Sequence, residues 1–291
     1  MKERAVERLS EHVWRVELPC DTLPPYDHVN GYVVAHGDVG VVVDPGSDRQ
    51  EADTLLAAAL AGAGVRLLKG VLLTHTHPDH VGGVPALLRS EAVRTGSPPP
   101  VYAHAAEAGA LPEEWQTTFL ADGRVLTVGD VAIRALHTPG HSPGHLSFTV
   151  TGQGGTLPEA VLVGDLASAA GSVWVGLPEG DVGDYLTSLE RLAALGSPVL
   201  GAGHGAAIAA PARRLRELAD HRLEREAQVL AALDLGAADA AEITRRVYPD
   251  HPEAVLALAE KSVLAHVAKL MRELKVVHLG SDERGPFAVR R

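Results

Sequence analysis

Thr74-His75-Thr76-His77-Pro78-Asp79-His80-Val81-Gly82-Gly83 follows directly on the apolar run Val71-Leu72-Leu73. Three imidazoles and a carboxylate fall within six positions of this stretch. In an extended chain side chains alternate faces with period two, so a strand that ends in His75-x-His77 sends both rings the same way. The turn that follows lets Asp79 and His80 approach the same point from the other side. Two nitrogens from one side and a mixed oxygen–nitrogen pair from the other suit zinc or a similar divalent ion. A histidine-rich surface turn is the alternative, and the added Asp79-His80 and Gly82-Gly83 weigh against it.

Outward from this stretch, apolar runs predict strands at residues 13–18 and 29–43, the latter folded at Gly37-Asp38 and closed by Asp44-Pro45-Gly46. An Ala/Leu helix over 51–62 leads to the strand 65–73 that delivers the histidines, and a helix follows at 84–90. After the loop 96–100 and a short strand at 101–103, the style repeats. Strands are expected at 131–136, 146–150, 161–165 and 199–202, with a helix over 181–195. Strands alternating with helices in two similar halves argue for a layered α/β core.

At Pro211 the character changes. Two long helical patterns, 211–234 and 252–275, enclose a short one at 238–247, and Val276 to Gly280 reads as a strand. Two domains are therefore expected, 1–210 and 211–291. In the last helix Val263, Val267, Leu270, Met271 and Leu274 form one apolar face, with Lys261, Lys269, Arg272 and Lys275 opposite. That basic face is either a nucleic-acid contact or ordinary solvated lysine and arginine.

Composition narrows the classes. The 291 residues are 46% hydrophobic, enough for one large core and a small one. Met1-Lys2-Glu3-Arg4 lacks an apolar signal-peptide pattern, and Arg66 and Lys69 interrupt the longest apolar-rich region, so no membrane span is expected. With Cys20 the only cysteine, no disulfide forms within the chain and any metal must be held by His and carboxylate. A cytoplasmic protein is expected. Residues 1–210 carry 12 Lys and Arg against 24 Asp and Glu, while 211–291 carry 14 against 13. An acidic body does not advertise nucleic-acid binding, so only the tail could supply it.

Further donors stand at other strand ends. His137-Thr138-Pro139-Gly140-His141-Ser142-Pro143-Gly144-His145 sets its rings in tight Pro/Gly loops; Gly164-Asp165 and Gly203-His204-Gly205 each follow an apolar strand. With residues 75–80 they place His and Asp at the C-terminal ends of four strands, where α/β folds assemble sites.

His75-x-His77-x-Asp79-His80, Thr138-Pro139-Gly140-His141, Gly164-Asp165 and Gly203-His204-Gly205, with Asp44 after Val41-Val42-Val43, resemble the five-part signature of the metallo-β-lactamase superfamily. The resemblance implies an αβ/βα four-layer sandwich and two metal ions. It implies that His75, His77 and His141 hold the first, that Asp79, His80 and His204 hold the second, and that Asp165 bridges them. Zinc is expected, with manganese or iron as alternatives. Two such ions about 3.5–4 Å apart can hold a bridging hydroxide, so Asp79, Asp165 and His145 are the expected catalytic residues. Asp44 is expected to orient a ligand histidine through its ring N–H. His145 is expected to contact substrate or leaving group, with a purely structural ring as its alternative.

The tail narrows the group. His221 to Glu226, Glu242-Ile243 through Val247-Tyr248 and Ala259 to Leu270 look like the C-terminal winged helix of the lactamase-β-like protein 2 group. That resemblance implies an endoribonuclease on single-stranded RNA, with the tail roofing one side of the site. The alternative is a thioesterase or ester hydrolase, acting on acyl carriers or hydroxyacylglutathione. Ser168, where lactonases of the superfamily carry Tyr, makes a lactonase a lesser expectation, as is a non-catalytic nucleic-acid-binding sensor.

Overall fold

The computed structural model describes residues 6–22, 24–90 and 97–290. Met1 to Arg4, and Gly96 of the expected loop, lie outside them. The first half comprises β1 (Val6–Arg8), β2 (Val13–Pro19), β3 (His28–His36), β4 (Val39–Val43), α1 (Gln50–Gly62), β5 (Leu67–Leu72), the short helices α2 (Pro78–Val81) and α3 (Val84–Arg89), β6 (Val101–Ala103) and β7 (Thr118–Phe119). The second comprises β8 (Val125–Val128), β9 (Val131–His137), β10 (Leu146–Thr151), β11 (Ala160–Gly164), α4 (Val182–Ala193) and β12 (Leu200–Ala202). The tail adds α5 (Pro211–Asp234), α6 (Ala240–Val247), α7 (Glu253–Arg272) and the hairpin β13 (Val276–Asp282) with β14 (Gly285–Val289).

One sheet runs β1 to β7 in order and the other β12-β11-β10-β9-β8. Hairpins make β1 to β4 antiparallel, and from β4 to β7 the pairs are parallel. In the second sheet only β11 and β12 run parallel. The sheets face each other through Tyr32, Val34, Val43 and Leu72 on one side and Ile133, Leu146, Phe148 and Leu162 on the other. On the outer face of the first, Leu56 and Leu60 of α1 cover Val33, Val42 and Val71; on that of the second, Tyr185, Leu189 and Leu192 of α4 cover Val161, Val163 and Leu200. The four layers make the expected αβ/βα sandwich. Strands buried on both faces read as unbroken apolar runs, which is why Val39 to Val43 shows no alternation.

Local chemistry sets the outer helices. Asp181 caps α4, its carboxylate accepting from the backbone N–H of Asp184 at 3.0 Å. Tyr185, Ser188, Leu189 and Leu192 then fall on one buried face at helical spacing. The change at Pro211 coincides with the start of α5, but that helix serves two cores. Leu215 and Leu218 pack with α4, whereas Val229 and Leu233 pack with Ile243, Val267, Leu270 and Phe287. Among the described residues no helix is long and apolar enough to cross a membrane.

The projected basic face of α7 is largely neutralised within the fold. Lys269 is buried against Glu226 of α5 at 2.7 Å and also meets Glu273 at 2.7 Å. Lys275 pairs with Glu273 at 2.7 Å, and Arg272 with Asp181 at 2.7 Å. Lys269 faces a neighbouring helix rather than water, because Glu226 stands opposite it.

Breaking one partner of a buried pair leaves an uncompensated charge, whereas replacing both by apolar groups can be neutral. Lys269→Met alone should destabilise the chain by about 3 kcal/mol, and adding Glu226→Leu should recover most of that. Urea unfolding of the two variants checks it.

Candidate metal centre

The chain reverses sharply where its strands end. Asp44, just past β4, adopts a left-handed conformation with φ of 50°, a region costly for residues other than glycine but tolerated by aspartate. There its carboxylate accepts the Thr74 N–H at 2.8 Å and the Thr74 hydroxyl at 2.7 Å, and lies 2.9 Å from His80 Nδ1. β5 delivers His75 and His77, and α2 turns Asp79 and His80 back toward them. The loop between β9 and β10 carries His141; the ends of β11 and β12 carry Asp165 and His204.

All seven expected ligands converge, in two groups. One ligand atom from each of His75, His77, His141 and Asp165 lies within 4.8 Å of every other, and the same holds for Asp79, His80 and His204. In the first group His77 Nδ1 is 2.9 Å from His75 Nε2 and 3.1 Å from His141 Nε2, which is 3.8 Å from Asp165 Oδ2. In the second, His204 Nε2 is 3.3 Å from Asp79 Oδ2, and both His80 Nε2 and His204 Nε2 are 3.5 Å from Asp165 Oδ1. Asp165 thus turns one oxygen to each group. A tetrahedral zinc with bonds near 2.0–2.1 Å separates its ligand atoms by about 3.3 Å, within the range seen here.

The outer ring nitrogens supply an independent test of fit. His75 Nδ1 lies 3.0 Å from the Thr74 hydroxyl oxygen, His77 Nε2 3.0 Å from Glu179, and His80 Nδ1 2.9 Å from Asp44. His141 Nδ1 and His204 Nδ1 lie 2.9 and 2.8 Å from the carbonyls of Trp174 and His28. With its outer nitrogen held against an acceptor, each ring directs its inner nitrogen toward the centre, the arrangement metal-binding histidines adopt. His80 Nε2 is buried without a hydrogen-bond partner. The donor set fits two divalent ions.

Other residues hold the loops in place. Asn30 Nδ2 donates to the carbonyls of Ala202 and Gly205 at 2.9 and 2.8 Å, fixing the turn of His204. A Cβ on Gly203 would sit 2.1 Å from Asp165 Oδ1, so only glycine lets the two strand ends approach. Glu107, buried, accepts from Thr76 Oγ1 at 2.5 Å and from Ser142 Oγ and Gly144 N at 2.8 Å, tying the His77 turn to the His141 loop. Sequence reasoning missed Glu107, Glu179 and Trp174. The one trace of Glu107 is a lone charge within the small-residue run Ala105 to Ala110.

His145, expected to contact substrate or else to be a structural ring, lies inside the fold. Its ring is fully buried, stacked against His75 with centroids 5.5 Å apart and with Nδ1 3.2 Å from Thr138 Oγ1. It backs the centre and does not face the opening, in keeping with the structural alternative. The centre opens to solvent at His77, Asp165 and Asp79, whose side chains are 30%, 17% and 14% exposed, with Tyr26 stacked 5.5 Å from His204.

Charge differs between the groups. Burial above all pushes His75 and His141 below the ordinary imidazole value. Burial also opposes charge on His80 and His204, but there the carboxylates prevail. Asp165 and Asp44 hold His80 well above its usual range, and Asp165 and Asp79 raise His204 to about 9. Asp165 is ionised despite burial, held far below the usual carboxylate range by His80 and His204. Protons occupy the second group where cations would sit.

Residues 24–204 match the family described as the metallo-beta-lactamase superfamily. The chain belongs to the metallo-beta-lactamase superfamily. Residues 240–284 match the beta-lactamase associated winged helix domain. An atrochrysone carboxyl ACP thioesterase of Aspergillus fumigatus is 32% identical over 208 residues, 70% of this chain and 59% of that protein. The chain thus spans about three fifths of that relative's length. One of the same description from Claviceps purpurea is 32% identical over 229 residues, covering 78% of this chain and 67% of its own. Among solved structures, a metallo-beta-lactamase family protein from Thermus thermophilus superposes with a TM-score of 0.75 at 26% identity, over 97% of this chain and all of that one. A beta-lactamase domain protein from Burkholderia ambifaria shares the fold, with a TM-score of 0.80 at 18% identity, over 99% of this chain and 94% of its own.

The raised His204 value gives a pH dependence with a definite sign. Below about pH 9 its ring carries a proton that a cation must displace. Metal affinity at the second group should therefore rise as pH rises through about 9 and His204 loses its proton. Calorimetry at pH 7 in buffers of differing ionisation enthalpy should read net proton release; binding without release would contradict this charge assignment.

Proposed function

We propose that the chain is a dinuclear metal-dependent thioesterase. In this reading His75, His77 and His141 hold one ion, Asp79, His80 and His204 the other, and Asp165 lies between. Zinc suits the nitrogen-rich first group, with manganese or iron as alternatives. Bound there, two divalent ions supply an activated water and polarise a carbonyl oxygen.

The observation that carries the substrate class is the name borne by relatives 32% identical to this chain, acyl-carrier thioesterases. The residues are compatible with it. In this reading Asp79, ionised and partly exposed, would accept the proton of the incoming water at the carboxylate oxygen that the second ion leaves free. Water adds to the carbonyl carbon, the C–S bond breaks, and carboxylic acid and thiol result. A thiol with a pKa of about 8.5 leaves as thiolate without a dedicated acid, so the burial of His145 away from the opening takes nothing from the reaction.

Cleavage of single-stranded RNA, the first expectation, has less support. Three of its four expected cations, Lys269, Arg272 and Lys275, are engaged in ion pairs with the chain's own carboxylates. Glu179, half exposed beside His77, adds a negative charge that a polyanion would meet.

The deciding assay sets an acyl-thioester beside single-stranded RNA and a lactone, with and without chelator. Thioester turnover should dominate, vanish with chelator and return with zinc. His77→Ala should lower it on the order of a hundredfold or more. Dominant RNA cleavage would overturn the reading.

A further inference from the structure

The two groups are supported from different parts of the chain. The outer nitrogens of His80 and His204 rest on Asp44 and the His28 carbonyl, both in the first half. Those of His141 and His77 rest on the Trp174 carbonyl and the Glu179 carboxylate. Both of these lie in the irregular segment 173–181 that precedes α4.

That segment is held by the tail. Ser262 Oγ of α7 donates to the Val175 carbonyl at 2.7 Å, and Leu177 N donates to the Lys261 carbonyl at 3.2 Å. Arg222 of α5, buried, donates to the Val173 carbonyl and lies over the Tyr185 ring. Arg272, at the end of α7, meets Asp181 at 2.7 Å, and the Asp181 N–H donates to the Gly140 carbonyl at 2.9 Å, one residue before His141. The Trp174 ring lies over Gly176. A Cβ on Gly176 would stand 2.8 Å from that ring and 3.1 Å from the Lys261 backbone.

We propose that the winged-helix tail sets the affinity of one metal position, the His75–His77–His141 group, by pinning the segment that orients two of its three imidazoles. The inference rests on the metal reading above. An outer hydrogen bond fixes a ligand ring's tautomer and direction, and its loss costs about 10–100-fold in metal affinity. Moving 173–181 by a fraction of an ångström shifts the acceptors of His141 and His77 together and leaves those of His80 and His204 untouched. Ser262 and Arg272 are positioning residues, distant from any reacting atom.

The test uses the full chain, native and carrying Ser262→Ala with Arg272→Gln, loaded with cadmium-113. The native protein should give two resonances, one from a three-nitrogen, one-carboxylate position and one from a two-nitrogen, two-carboxylate position. In the variant the nitrogen-richer resonance should weaken, and a chelator titration should release that ion at about 10–100-fold lower chelator concentration. The other resonance should not change. Arg272→Lys in place of Arg272→Gln should recover part of the loss. Equal weakening of both positions, or of neither, overturns the inference. A native chain that binds no cadmium overturns the metal reading itself, and the inference with it.

Discussion

A carboxylate shared between two groups of imidazoles is the constraint on which the rest of the structure depends. Asp165 must end a strand, turn one oxygen to each group and stay ionised in an enclosed place. The parallel pairing of β11 with β12 brings His204 alongside it, and the missing side chain at Gly203 lets them touch. On the opposite sheet β4 and β5, also parallel, bring Asp44 beneath the turn that carries His80. Two sheets facing each other through a dry core hold the two sets of strand ends at a fixed separation. Neither half alone supplies a complete group of donors, since His141, Asp165 and His204 come from the second and the rest from the first.

Much of this was legible in the chain. The period-two spacing of His75 and His77, the Pro/Gly turns around His141 and the apolar runs before Asp165 and His204 are local signals. Local signals survive folding. What escaped notice was set by distant neighbours. Glu107 is one acid among small residues until Thr76, Ser142 and Gly144 close on it. Lys269 projects to a polar face on a helical wheel, but the wheel does not contain Glu226 of another helix. His145 shares the Pro/Gly-His style of its loop with His141, yet it immediately precedes β10 and is carried inward with that strand. The second strand of the wing was missed as well, since Pro286 lies within it and proline weakens any strand reading.

The tail changes meaning once packing is considered. As sequence it was a candidate nucleic-acid module whose charges faced solvent. In the fold Lys269, Arg272 and Lys275 are occupied by Glu226, Glu273 and Asp181, and its helices lie against the loop that precedes α4. Its chemistry is therefore directed inward, toward the centre. The acidic excess of residues 1–210 now has a local purpose as well. Asp44, Asp79 and Asp165 hold His80 and His204 charged, so positive charge belongs at this place whether it arrives as protons or as metal.

The most direct test of the account is anomalous diffraction at the zinc edge from crystals grown with zinc. Two peaks are predicted about 3.5–4 Å apart, one on either side of the Asp165 carboxylate, with His75, His77 and His141 around the first and Asp79, His80 and His204 around the second. A single peak there, or zinc bound only at the Glu11–His12–Glu159 group, would contradict it.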